Sequence, residues 1–226
     1  MKLIYGVAIA ALLIPQIAFT QLKDRIDKIS YSLGVSISKN LKRQNFDIHV
    51  DALIKGFKDA ESNSKFLMTE QEMEETLVAF QKETMTKASE KSKKLAEENK
   101  KKGEAFLASN KAKDSVVTLT DGLQYKILHE GTGKMPTLED TVTVNYRGYL
   151  IDGTEFDNSY KRGSPATFPL GGVIQGWQEA LQLMKTGAKW QIFIPSNLGY
   201  GEKGSGAGIP PNAVLIFDVE LISFKQ

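Results

Sequence analysis

The period of the apolar residues changes once along this chain, near Ser115, and that switch limits the fold more than any other feature. Before it, Ile26, Ile29, Leu33, Ile37 and Leu41 recur at three- and four-residue steps, the spacing of one helical face. After it the period is two. Val142, Val144 and Tyr146 alternate, as do Trp190, Ile192 and Ile194, and Leu215, Phe217, Val219 and Leu221. The chain is therefore expected to be α+β, with helices first and a sheet second.

The helical half divides further. A first helix is expected from about Asp24. A second spans about Asp47 to Ala60, with Val50, Leu53 and Phe57 on one face. Ser62 to Lys65 reads as a loop. Thr69 and Glu72 then form a Thr-x-x-Glu capping box that starts a third helix, with Met73, Leu77 and Phe80 on its buried face. Beyond Thr84 the apolar stripe fades while helix formers persist to about Ala108. Glu90 with Lys94 and Glu98 with Lys102 are favourable i,i+4 pairs on a solvated face. A helix from Thr69 to Ala108 is about 60 Å long. Gly103 is its weak point, at about 1 kcal/mol relative to alanine. So polar a helix reads as a spacer arm between two folded parts.

In the second half, turn signals separate the alternating runs: Asp121-Gly122, Gly131-Thr132-Gly133, Asp152-Gly153 and Lys185-Thr186-Gly187. One short helix, about Trp177 to Met184, interrupts the strands. The expected architecture is a curled antiparallel sheet wrapped on that helix. The expected divisions are 1–20, a helical module over 21–85, a helical arm over 86–114 and a sheet domain over 115–226.

The N-terminus is different in kind. Lys2 precedes an apolar stretch from Leu3 to Ile14, then come Pro15 and the small residues Ala18 and Thr20. This is the layout of a secretory signal peptide, with cleavage after Thr20 leaving Gln21 first. The apolar run is short and broken by proline for a membrane span, so an uncleaved anchor is the lesser alternative. The mature chain is expected in the periplasm or secreted, with no stable membrane span.

Composition removes several chemistries. The chain has no cysteine, which excludes disulfides and thiolate catalysis and makes zinc a poor fit. His49 and His129 match no ligand spacing, and no metal or cofactor is expected. A net charge of +2 gives no reason to expect nucleic acid. The Lys-rich stretch from Lys91 to Lys102 is balanced by Glu90, Glu97 and Glu98 and reads as a solvated helix face. The glycine-rich run from Gly201 to Gly208 is no phosphate loop, because Pro210-Pro211 follow where a helix should start. Asp152, Glu155 and Asp157 bracket a turn and lack the partner a glycosidase pair needs.

What remains is a set of rings and aliphatics placed beside glycine, proline or charge: Tyr146, Phe156, Val173, Ile174, Trp177, Tyr200, Ile209 and Phe217. They sit in an ordered series of motifs. These are Val144-Asn145-Tyr146-Arg147-Gly148, Phe156-Asp157-Asn158-Ser159, Val173-Ile174-Gln175-Gly176-Trp177, Leu198-Gly199-Tyr200-Gly201 and Gly208-Ile209-Pro210-Pro211-Asn212-Ala213. From about residue 116 to 226 the chain resembles the FKBP-type peptidyl-prolyl cis-trans isomerases. Its N-terminal part, with Tyr31-Ser32-Leu33-Gly34 and a long helix, is similar to the family's macrophage infectivity potentiator branch.

The resemblance implies catalysis of X–Pro rotation during folding of exported proteins, on proline-containing unfolded polypeptides, by a homodimer joined through its N-terminal helices. It implies Trp177 as the floor of a proline pocket, with Tyr146, Phe156, Val173, Ile174 and Phe217 as its walls. Asp157 and the Tyr200 hydroxyl would supply polar contacts, Ile209 wall surface and a backbone N–H, and Arg162 a partner for Asp157. Two positions depart from the family pattern. Ala166 stands where many members carry an aromatic residue, and Ser205 where eukaryotic members often carry histidine. A non-catalytic holdase or surface-binding protein using the same groove is the alternative.

Overall fold

A computed structural model describes residues 22–225 except 45, 63 and 207. The signal-peptide expectation over 1–20 lies outside these residues. The chain divides into two units, one up to Met73 and one from Glu74 onward.

In the first unit, α1 spans Arg25–Arg43 and α2 spans Val50–Glu61. The Asp24 carboxylate caps α1 by accepting from the Asp27 N–H at 2.8 Å. Helix α2 starts later than its apolar spacing suggests, because His49 and the residues before it are not helical. Residues of both helices, with Phe46 and Ile48 between them, line an apolar hollow of about 460 Å³. No residue of α1 is buried, and Ile26, Ile29, Leu33 and Ile37 of the stripe that defined the helix in sequence stay exposed, with Leu41 half-buried.

Helix α3 spans Glu70–Lys111. The capping box forms as read. The Glu72 N–H donates to the Thr69 hydroxyl at 3.1 Å, and the Thr69 N–H donates to the Glu72 carboxylate at 2.8 Å.

In the second unit the sheet holds β1 (Val116–Thr118), β2 (Gln124–His129), β3 (Thr141–Leu150), β4 (Glu155–Asn158), β5 (Ala166–Pro169), β6 (Lys189–Ile194) and β7 (Leu215–Lys225). All pairings are antiparallel in the order β1-β2-β6-β7-β3-β4, with β5 also on β3. Helix α4, Gln175–Leu183, starts two residues before the expected Trp177. It buries Gly176, Trp177, Ala180 and Leu181.

The alternating positions of β3, β6 and β7 form the core beneath α4, with Val142, Val144, Ile192, Ile194, Leu215, Val219 and Leu221 fully buried. Close packing of helix on sheet depends on Gly176, where a Cβ would lie 2.5 Å from Ile194 Cγ2. Phe193 and Ile216, paired in register, are also buried but lie outside that core cluster.

The last four turns of α3 rest on the sheet domain. The Phe106 ring meets Phe193 with centroids 6.0 Å apart. The buried Asn110 side chain donates to Gln124 at 2.9 Å, and Gln124 donates back to the Leu107 carbonyl at 2.9 Å. Gly103, weak by propensity, is buried where a Cβ would lie 2.7 Å from Val214 Cγ2. Only glycine allows that approach without Val214 moving, so its helix cost is offset by packing.

Candidate active site

The rings gather because strand alternation and the start of α4 aim them at one place. Tyr146 on β3 and Phe217 on β7 point to the α4 side of the sheet, and Trp177 meets them from the first turn of α4. Trp177 is 4% exposed and is ringed edge-on. Its indole lies 5.1 Å from Tyr146 at 90°, 5.2 Å from Phe217 at 79° and 6.0 Å from Phe168 at 86°. Such edge-to-face contacts set the positive edge of one ring against the negative face of another. Phe156 adds a further T-shaped contact to Phe217, at 5.4 Å and 87°. Gly148 makes this possible, since a Cβ there would lie 2.7 Å from both the Phe156 and Phe217 rings.

Above the indole is an open cavity of about 540 Å³. Nine of the ten residues singled out in the sequence line it: Tyr146, Phe156, Asp157, Val173, Ile174, Trp177, Tyr200, Ile209 and Phe217. Arg162 stands behind, reaching the cavity through its partners. The lining also includes Ser205 and Gly208, noted in the sequence without a role, and Phe168 and Gly172, which the sequence did not single out. Phe168 had a visible signal. It lies two residues from Ala166 on β5, so both side chains face the same way, and both are half-buried against the core. A ring is thus present on this face of β5 although Ala166 itself has none.

One polar triangle edges the cavity. The Tyr146 hydroxyl donates to the Asp157 carboxylate, and Arg162 donates both to Asp157 and, at 2.8 Å, to the Tyr146 hydroxyl. The Asn158 N–H gives Asp157 a further bond at 2.8 Å. Burial pushes the Asp157 carboxyl up, but the bonds from Tyr146, Arg162 and Asn158 together outweigh it and hold it below the usual carboxylate range. Burial, then the bond to Asp157, pushes the Tyr146 phenol up to about 12. At neutral pH the triangle is therefore carboxylate, phenol and guanidinium, each fixed in its ordinary charge state.

The flap over the cavity turns on a short bridge. Ser205 N–H donates to the Ile209 carbonyl at 2.8 Å, and Ile209 N–H donates to the Ser205 carbonyl at 3.1 Å. This corrects the expectation that Ile209 offers its N–H to a substrate: that donor is already engaged. Among the described residues, no acceptor takes the N–H of Ile174, which precedes α4, and none pairs with the hydroxyl of the 41%-exposed Tyr200.

Residues 132–222 match the family described as FKBP-type peptidyl-prolyl cis-trans isomerase. Residues 26–127 match the domain amino-terminal to it. The chain is 51% identical over 209 residues to the peptidyl-prolyl cis-trans isomerase Mip of Coxiella burnetii, covering 92% of this chain and 91% of that protein. It is 50% identical over 207 residues to the outer membrane protein MIP of Legionella longbeachae, covering 92% and 89%. The crystal structure of FkpA from Escherichia coli superposes with a TM-score of 0.70 at 40% identity, covering 91% of this chain and 99% of that one.

Proposed function

This chain belongs to the FKBP-type peptidyl-prolyl cis-trans isomerase family, and from that premise we propose how its cavity rotates an X–Pro bond and where it does so. The uncatalysed rotation crosses a barrier of about 18–20 kcal/mol. In the planar imide, resonance places negative charge on oxygen and positive character on nitrogen. At the twisted transition state that resonance is lost and the group is less polar. A cavity floored and walled by rings removes water from the polar planar form, which raises it relative to the twisted one. Each 1.36 kcal/mol so gained is about tenfold in rate.

The observation that carries this reading is the open, ring-floored cavity whose polar groups are confined to one edge. Trp177 seats the proline ring, and Tyr146, Phe156, Val173, Ile174, Phe168 and Phe217 enclose it. The Ile174 N–H, rather than that of Ile209, is the backbone donor for a substrate carbonyl, and the Tyr200 hydroxyl is a second. Arg162 and Tyr146 hold Asp157 in place, because a carboxylate beside an apolar bowl is costly unless it is paired.

The substrates we propose are exported polypeptides during folding, outside the cytoplasm. The signal-like residues 1–20 support this site of action, as does the similarity to the outer membrane protein MIP of Legionella longbeachae. Among the described residues no helix is long and apolar enough to cross a membrane. A second copy of the chain, joined through the helical module, would place two cavities on one unfolded segment at raised effective concentration.

A protease-free prolyl isomerisation assay on the full chain tests the enzyme reading. The rate should exceed that of a Trp177→Ala, Phe156→Ala double variant by at least tenfold. Equal rates would overturn it, and aggregation suppression surviving unchanged in the variant would turn the reading to a holdase.

A further inference from the structure

The end of α3 is tied to the two loops that close the cavity. The Asn99 side chain donates to the Pro211 carbonyl at 2.8 Å, and the Asn212 side chain donates to the Ala96 carbonyl at 3.3 Å. The Asn212 backbone N–H donates to the Gly201 carbonyl at 2.8 Å. Asn212 is thus a junction. Its side chain holds the helix, its amide holds the residue after Tyr200, and it ends the Pro210-Pro211 segment that follows Ile209. It does so in the left-handed region, at φ +53°, which asparagine tolerates better than most residues.

A hollow of about 310 Å³ lies behind these loops, lined among others by Gly103 and Leu107 of α3 and by Gly201, Glu202 and Asn212. Close packing on that side is confined to Val214 against Gly103, and the loops are otherwise open to the hollow. Beyond that one contact, the hydrogen bonds of Asn99 and Asn212 tie the loops to the helix. Tyr200 and Ile209, at the cavity rim, sit at the other ends of the same short segments.

We propose that Asn99 and Asn212 are positioning residues of the isomerase site. Through them the arm helix sets where Tyr200 and Ile209 stand over a bound proline segment. The helix is then a working part of the site as well as a spacer. This inference rests on the isomerase reading above, and its test separates the two.

The experiment measures KM and kcat for a proline peptide by exchange NMR, and the thermal midpoint, on the full chain. Asn99→Asp keeps the shape but has no N–H for the Pro211 carbonyl. Asn212→Gly keeps the left-handed backbone but loses the bond to Ala96. Each should raise KM by about three- to tenfold, the scale of one hydrogen bond, with kcat within about twofold of wild type. Combined, they should add little more, because they cut one connection. Asn110→Ala removes the buried amide pair to Gln124, on the same helix but away from the loops. It should lower the thermal midpoint and leave KM unchanged. Wild-type KM in both Asn99→Asp and Asn212→Gly would overturn the proposal, as would an equal rise in Asn110→Ala. An inactive wild type would instead overturn the isomerase reading.

Discussion

Asp157 accepts a hydrogen bond from the Tyr146 hydroxyl across the edge of the cavity, and Arg162 bonds to both. The pair has opposite pH linkages. Asp157 is held below its ordinary value, so its stabilisation is present above about pH 4 and is lost as pH falls through the lower folded value. Tyr146 is raised to about 12, so its stabilisation is complete below about pH 10 and is lost as pH rises toward 12. In an ultraviolet phenolate titration, Tyr146→Phe should remove the tyrosine that ionises near pH 12. It should also raise the pKa of Asp157, read by carboxyl NMR, because one donor is gone. An unchanged Asp157 titration would show that the hydroxyl bond contributes nothing.

Gly148 lets Phe156 and Phe217 meet, with no room for a methyl group between them. Gly148→Ala should therefore cost about 1–3 kcal/mol, the usual range for overpacking. It should also lower kcat/KM by displacing two walls of the cavity. Denaturant unfolding and the isomerase assay measure the two effects. A variant of wild-type stability and activity would mean the rings shift freely.

The two tryptophans give separable signals. Trp177 floors the cavity, whereas Trp190 stacks on Tyr125 at 4.3 Å and 13° and is not part of the cavity lining. A proline peptide should change the fluorescence of wild type and of Trp190→Phe, but not of Trp177→Leu. Trp177→Leu should retain the fold while losing most activity. Persistence of the peptide-induced change in Trp177→Leu would place the peptide elsewhere.

Helix α1 keeps most of its apolar stripe in solvent, with Ile26 at 73% and Leu33 at 58% exposure. If a second copy covers this stripe, a Leu33→Lys, Ile37→Lys double variant should sediment as a monomer at micromolar concentration where wild type is a dimer. Its activity on a short peptide should stay near that of wild type. A wild-type monomer would remove the proposed assembly.

Much of this molecule was legible in its sequence, and the reason is local. Period-three and period-four spacing gave α1, and period-two spacing gave β3, β6 and β7, because apolar residues report a face directly. Thr69 and Glu72 announced the start of α3 through donors that four-residue geometry must satisfy. Nine cavity residues could be named because the ordered motifs that carry them resemble those of the FKBP family.

The packing of α3 was not legible. Ala96, Asn99, Gly103, Phe106 and Asn110 form a three- and four-residue stripe, but all except Phe106 are small or polar. A reading that counts apolar side chains sees only a solvated arm. Their partners, Pro211, Asn212, Val214, Phe193 and Gln124, are 14 to 116 residues away in sequence for the hydrogen-bonded pairs, and only the folded chain brings them close. The engaged Ile209 N–H was hidden likewise, since backbone hydrogen bonding depends on loop conformation and leaves no mark on residue type. Sequence by itself determined which residues have a buried face and which rings are available for a pocket. Tertiary structure decided which polar groups are already partnered and which side of the long helix has a neighbour, because both depend on distances between segments that no periodicity encodes.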